Sequence, residues 1–241
     1  MNGRLIGVGV GPGDPELLTL KAARTLAEAD VVAHFAKAGN ASNARKIVER
    51  YIRAGIVELP LLYPVTIEWP ADGAAYRDSI GQFYDRSAAA VARHLDAGRT
   101  VAVISEGDPL FYGSYMHLHV RLSPYYPTEI IPGVTGMSGC WSSANAPMAQ
   151  GDDVFMVLPA TLPESELERR LADADAVVVM KLGRHLGKVR RALDRTGRLV
   201  RAVYVEHGTT VDAVTMPLEQ KLDDAAPYFS VILVPGWEKR S

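Results

Sequence analysis

ISEGDPLFYGS, residues 104–114, stands directly behind a run of strand-formers, Arg99–Ile104, that is bounded by Gly98. Short and β-branched, that run predicts a buried strand. Asp108 is a good N-cap and Pro109 a good first helical residue, which predicts a helix opening at Pro109. The same Gly-Asp-Pro token occurs once more, at 13–15 within GVGVGPGDPELLTL, residues 7–20. Two strand–turn–helix units with one token at the turn set the fold class as α/β.

Working outward, apolar β-branched runs alternate with amphipathic stretches. Strands are expected at Leu5–Val10, Val31–Phe35 and 100–105, with helices at Pro15–Ala29, Asn43–Ile52 and a long alanine-rich one from about Ala74 to Ala97. Pro60, Pro64 and Pro70 mark the stretch between as a loop. Strand alternating with helix implies a mostly parallel sheet. Ser123-Pro-Tyr-Tyr-Pro127 interrupts this rhythm and serves as the candidate linker, which places one α/β domain over 1–122 and a second over 123–241. In the second, strands are expected at 128–131, 153–158, 176–181, 200–206 and 229–234. Helices are expected through 136–145 and at about 163–173 and 185–196. The stretch after 205 is poor in helix, so antiparallel strands are expected there.

The composition is that of a globular chain: 241 residues, 48% hydrophobic, 22% charged, net charge −2. No stretch reaches the roughly 18 apolar residues needed to span a bilayer. MNGRLIGVGV at 1–10 enters a strand and a glycine turn directly, without the apolar region of a signal peptide. The single cysteine, Cys140, cannot close an internal disulfide, so a reducing cytoplasm is expected. The near-neutral charge gives no global reason to expect nucleic acid.

Gly7, Gly9, Gly11 and Gly13 satisfy a loose dinucleotide fingerprint, which alone is a weak signal. Two features oppose a nicotinamide cofactor. A ribose-binding acid belongs near the end of the second strand, whereas Asp30 precedes Val31. Each glycine turn also ends in an aspartate, and a carboxylate at a helix N-terminus repels a pyrophosphate. No Gly-Lys-Ser/Thr follows either turn, which excludes a P-loop. A ligand at these turns should be neutral or cationic; alternatively both are plain tight connections between strand and helix.

Other constellations carry less. His117 and His119 are two apart on an expected helix and point to different faces, which suits packing or solvent better than a metal. No Cys/His/Asp cluster has zinc spacing, so no metal is expected. Ser105 and Cys140 lack a nucleophile elbow or a neighbouring histidine, so covalent catalysis is not expected. GMSGCWSSANA at 136–146 is a helix of small side chains suited to close packing. Lys181–Arg201 holds eight Lys and Arg against the single Asp194. It is either a solvated helix face or a surface for a polyanion, a polycarboxylate or RNA.

Taken together, GVGPGDPELLTLKA (9–22), SEGDPLFYG (105–113), IIPGVTG (130–136), VVVMK (177–181) and VYVEHGT (203–209) resemble, in this order, the tetrapyrrole methyltransferase family. VLPATLPE (157–164) and PYFSVILV (227–234) are similar to the branch that methylates C20 of precorrin-2. The resemblance implies S-adenosylmethionine as cofactor, a cytoplasmic homodimer and a cofactor cleft between two α/β domains. It also implies a small tetrapyrrole substrate, metal-free or cobalt-containing, in cobalamin biosynthesis, with neither nucleic acid nor membrane as partner. Matching cofactor positions are Pro12, Glu106, Gly107, Asp108, Phe111, Thr135, Gly136, Met180 and Gly208. No residue is assigned as catalytic, because a sulfonium methyl is already activated and alignment is the main requirement. The alternatives are a ribosomal RNA methyltransferase of the same fold and a non-catalytic sensor of an adenosine ligand.

Overall fold

β-branched runs become strands here wherever both of their faces find apolar partners, and helices begin where a side chain caps them. The computed structural model describes residues 3–64 and 74–236, and the chain divides into two compact units, Met1–Thr135 and Gly136–Ser241.

The first unit runs β1 (Arg4–Gly9), α1 (Leu20–Glu28), β2 (Val31–Lys37), α2 (Asn43–Ile47), β3 (Val57–Tyr63), α3 (Ala74–Asp96), β4 (Thr100–Ser105), α4 (Tyr115–Leu122) and β5 (Thr128–Ile131). Among the described residues its strands form one parallel sheet in the order β3-β2-β4-β1-β5. Alternate residues bury opposite faces. Leu5, Val31, Val101 and Val103 pack with Phe83, Val91 and Leu95 of α3 and Leu118 of α4. Ile6, Val8, Val32 and Ile104 pack on the other face with Leu26 of α1 and Ile47 of α2. Two covered faces explain why these strands read as continuous apolar runs.

Three expectations need correction. Pro60 lies inside β3, not in a loop; β3 is an edge strand, where a missing N–H leaves no ladder partner unsatisfied. Pro70 lies outside the described residues. The helix expected from Pro109 begins only at Tyr115, because Tyr112 turns to φ +54° and Gly113 follows. Pro15 likewise opens a single 3-10 turn, Pro15–Leu17, and α1 starts after Thr19, whose Oγ1 accepts from the Ala22 N–H at 3.1 Å. The boundary read at 122/123 also differs from the division at 135/136, since β5 pairs with β1 and so extends the first sheet.

The second unit contains α5 (Gly136–Ser143), β6 (Phe155–Pro159), α6 (Glu164–Asp173), β7 (Ala176–Met180), α7 (Leu186–Arg195), β8 (Val203–Glu206), β9 (Val214–Pro217) and β10 (Ser230–Val234). Its sheet has the order β6-β7-β10-β8-β9. Among the described residues only β6 and β7 run parallel; the remaining pairings are antiparallel, in line with the helix-poor stretch. β9, four residues long, gave no sequence signal. Leu167 and Leu171 of α6 and Val189 and Leu193 of α7 cover one face, and α5 covers the other through Cys140 and Trp141.

Candidate functional site

In the first unit the order β4-β1-β5 sets three carboxyl-end turns side by side: those after Ser105, Gly9 and Ile131. The backbone of Gly107 pairs with that of Gly11, the Gly107 N–H donating to the Gly11 carbonyl at 2.8 Å. A Cβ on Gly133 would lie 2.1 Å from the Gly107 carbonyl oxygen, and one on Gly9 would lie 2.5 Å from the Gly133 nitrogen. Three turns therefore meet backbone to backbone, a contact that only glycine permits. Gly107 also has φ +64°.

Asp108 ties two of these turns together. Its Oδ1 accepts from the Leu110 N–H at 2.8 Å, capping its own turn, and its Oδ2 accepts from the Gly133 N–H at 3.2 Å. Asp14 caps the first turn in the same manner, accepting from the Glu16 N–H at 2.8 Å. Glu106 is half-buried and accepts from the Ala44 N–H and the Asn43 amide at the start of α2; burial pushes its carboxyl up, and those two bonds pull it back. Ser105, just before it, buries a hydroxyl with no hydrogen-bond partner among the described residues. Pro12, Glu106, Gly107 and Asp108 thus converge on one cradle. Phe111 lies in the loop leaving it, and Thr135 two residues beyond Gly133.

In the second unit Met180 ends β7, Gly208 follows β8, and β10 runs between those strands. Both residues lean on α5. Met180 packs into the cluster containing Cys140, Val178 and Val205. The Gly208 N–H donates to the Cys140 thiol, and a Cβ on Gly208 would lie 2.8 Å from Sγ. Burial pushes that thiol up to about 11, which keeps it protonated and poorly nucleophilic at neutral pH. Gly136 opens α5 with nothing within 4 Å of its Cβ position. The neighbours His207 and Thr209 hold φ +48° and +75°, and Lys181 holds φ +59°. Their loop is fixed by the His207 N–H on the Phe229 carbonyl and the Thr209 N–H on Ser143 Oγ, each at 2.8 Å. Sequence reasoning missed Gly133, Ser143 and Cys140 as supports, because each acts through a partner distant in the chain.

The basic stretch Lys181–Arg201 is largely matched from within. Arg190 donates to Asp224 and to the carbonyls of Leu218, Lys221 and Asp223. Arg191 pairs with Glu164, Arg195 with Glu164 and Glu168, and the Lys188 ammonium donates to the Leu162 carbonyl. This favours the solvated-face reading over a polyanion surface. His117 stacks on Tyr84 with centroids 4.0 Å apart, while His119 faces the Tyr115 hydroxyl. Two depressions of about 350 and 440 Å³ lie away from the glycine cradle; Arg45 meets Glu58 in one, and Arg4 and Lys21 meet Glu129 in the other. No helix among the described residues is long and apolar enough to cross a membrane.

Residues 4–222 match the family described as Tetrapyrrole (Corrin/Porphyrin) Methylases. The chain is 63% identical, over 99% of its length and 97% of the relative's, to a precorrin-2 C(20)-methyltransferase of Sinorhizobium sp. It is 31% identical, over 99% of both chains, to a cobalt-precorrin-2 C(20)-methyltransferase of Salmonella typhimurium. Among solved structures it resembles a uroporphyrin-III C-methyl transferase from Thermus thermophilus complexed with S-adenyl homocysteine, at TM-score 0.65 and 25% identity over 96% of this chain and 97% of that one.

Proposed function

Because this chain belongs to the tetrapyrrole (corrin/porphyrin) methylases, we propose that it is the S-adenosylmethionine-dependent enzyme that methylates C20 of precorrin-2, metal-free or cobalt-bound, in cobalamin biosynthesis. The observation that carries this reading is the likeness over nearly the whole chain to a relative of that name. The same reading makes the protein a cytoplasmic homodimer acting on a small molecule.

The residues present suit such a cofactor. Asp14 and Asp108 set carboxylates at both glycine turns, a poor place for a pyrophosphate and a favourable one for a cation. S-adenosylmethionine, when bound, supplies a methyl group activated on a sulfonium. Pro12, Glu106, Gly107, Asp108, Phe111 and Thr135 of the first unit, with Gly136, Met180 and Gly208 of the second, are the residues proposed to hold it. Gly107 gives close backbone approach, and Phe111 and Met180 offer apolar contact. Asp108 fixes the turn by bonding Leu110 and Gly133 at once. Glu106 accepts from α2, so its role in this reading is to hold the turn, and no catalytic base is assigned. Alignment and exclusion of water are then the chain's main contribution to rate.

The test is incubation with S-adenosylmethionine and enzymatically made precorrin-2 or its cobalt form, read by mass spectrometry and NMR. One added methyl group, located at C20, is expected. A methyl at another carbon, or an unchanged tetrapyrrole with both substrates, overturns the assignment. Calorimetry should show one S-adenosylhomocysteine site per chain and no NAD binding, and light scattering should give the mass of a dimer.

A further inference from the structure

The loop that carries Asp108 and Phe111 is anchored at both ends. At its start Asp108 bonds Leu110 and Gly133. At its end stands Ser114, whose hydroxyl oxygen meets two phenols. The Tyr63 hydroxyl is hydrogen-bonded to it, and the Tyr84 hydroxyl donates to it at 3.3 Å. One serine oxygen has the lone pairs to serve both. Between the anchors Tyr112 is held at φ +54°, a conformation that a bulky side chain keeps only where its surroundings impose it.

The two phenols come from different elements and are themselves fixed. Tyr63 ends β3 and packs on Phe83 and Phe35, with ring centroids 4.6 and 5.8 Å apart. Tyr84 lies on α3, stacks on His117 at 4.0 Å and has the Arg121 guanidinium 5.9 Å from its ring centre. Packing alone would be served equally by phenylalanine at both positions. Both hydroxyls reach Ser114 Oγ, a common grip that phenylalanine could not supply.

We propose that Tyr63, Tyr84 and Ser114 are positioning residues that present the Asp108–Phe111 loop to the cofactor. The inference rests on the cofactor assignment made above. It gives the aromatic cluster a task beyond stability: the hydroxyl triad determines cofactor affinity, and the rings beneath determine where the hydroxyls stand.

Tyr63→Phe, Tyr84→Phe and Ser114→Ala each remove one hydroxyl and keep the shape. The readouts are S-adenosylhomocysteine affinity by calorimetry, KM for each substrate, kcat and melting temperature. Ser114→Ala should weaken S-adenosylhomocysteine binding about tenfold and each tyrosine variant about threefold to fivefold. KM for S-adenosylmethionine should rise in step, while KM for the tetrapyrrole and kcat stay within about twofold. Both phenols act through one oxygen, so the triple variant should bind no more weakly than Ser114→Ala alone. Ser114→Thr should restore affinity. Should Ser114→Ala fail to fold, Tyr84→Phe carries the test, because Ser114 then keeps its bond to Tyr63. Unchanged cofactor affinity in the folded variants, or losses that simply add, overturns the proposal while leaving the cofactor assignment intact. A wild-type chain with no affinity for S-adenosylhomocysteine overturns that assignment and the triad's role with it.

Discussion

The two units bring the same backbone conformation to their strand ends by different means. Where the turns after β1 and β4 meet, the positive φ angles fall on glycines, Gly11 at +81°, Gly13 at +152° and Gly107 at +64°, with Tyr112 at +54° only farther along the second loop. After β7 and β8 they fall mainly on other residues, Lys181, His207 and Thr209 at +59°, +48° and +75°, with Gly183 at +42° beside the first. Glycine enters this region without steric penalty, whereas another L-residue loses roughly 1–2 kcal/mol there. At Gly11, Gly13 and Gly107 residue type alone permits the turn. In the second unit, tertiary bonds hold it: the Phe229 carbonyl on one side and Ser143 Oγ on the other. A demanding shape can therefore be encoded locally or imposed from outside, and the two encodings should fail differently when altered.

The largest effect is expected where glycine is required by contact as well as by chain geometry. Gly133→Ala puts a methyl 2.1 Å from the Gly107 carbonyl oxygen and 2.9 Å from Gly9 Cα, with backbone on both sides and no flexible side chain to yield. The turns must separate, at a cost of about 3 kcal/mol. The melting temperature should fall by about 6–12 °C, and S-adenosylhomocysteine binding should vanish in calorimetry. A folded Gly133→Ala chain with native affinity would show that the contact among the three turns is irrelevant to the ligand.

In the second unit the counterpart is Gly208→Ala. Its methyl would meet Cys140 Sγ at 2.8 Å and Cys140 Cα at 2.9 Å. One of those neighbours is a side-chain tip, so the expected loss is smaller, about 1–2 kcal/mol. Adding Cys140→Ala should recover part of it by removing Sγ and should leave the part due to Cα. Thermal melts of the single and double variants measure both terms. No recovery at all would mean that the clash lies with the α5 backbone alone.

This contrast also explains how much of the chain is legible from its sequence. The parallel first sheet follows from β-branched runs alternating with amphipathic helices, and the cradle is foreshadowed by two Gly-Asp-Pro turns. What escapes detection depends on distant partners. Pro60 reads as a loop residue until β3 is known to be an edge strand. Pro109 reads as a helix start, because no residue type announces that Tyr112 is held at φ +54°, which delays the helix to Tyr115. The cations of Lys181–Arg201 leave a solvated face and a polyanion surface both open until Glu164, Glu168 and Asp224 are seen beside them. The strained His207–Thr209 turn has no compositional signature, since its conformation belongs to Phe229 and Ser143 as much as to itself.

The smallest effect is a near-cancellation and tests the second encoding directly. At φ +48° His207 pays for a conformation that glycine adopts freely, and its turn bonds, N–H to the Phe229 carbonyl and carbonyl from the N–H and Oγ1 of Thr210, use only its own backbone and survive substitution. His207→Gly therefore relieves roughly 1–2 kcal/mol of left-handed strain. Against that stand the greater freedom of glycine in the unfolded chain, about 0.5–1 kcal/mol, and the loss of the ring contact with Phe229, whose centroid is 6.0 Å away. The terms nearly cancel, so the melting temperature should stay within about 2 °C of the parent's. Gly197→Ala supplies the control in the same unit: φ is +68°, nothing lies within 4 Å of the Cβ position, and about 1 kcal/mol should be lost from backbone strain alone. If His207→Gly destabilises by as much as Gly197→Ala or more, the His207 turn is held by the imidazole itself, and the tertiary account of the second unit falls.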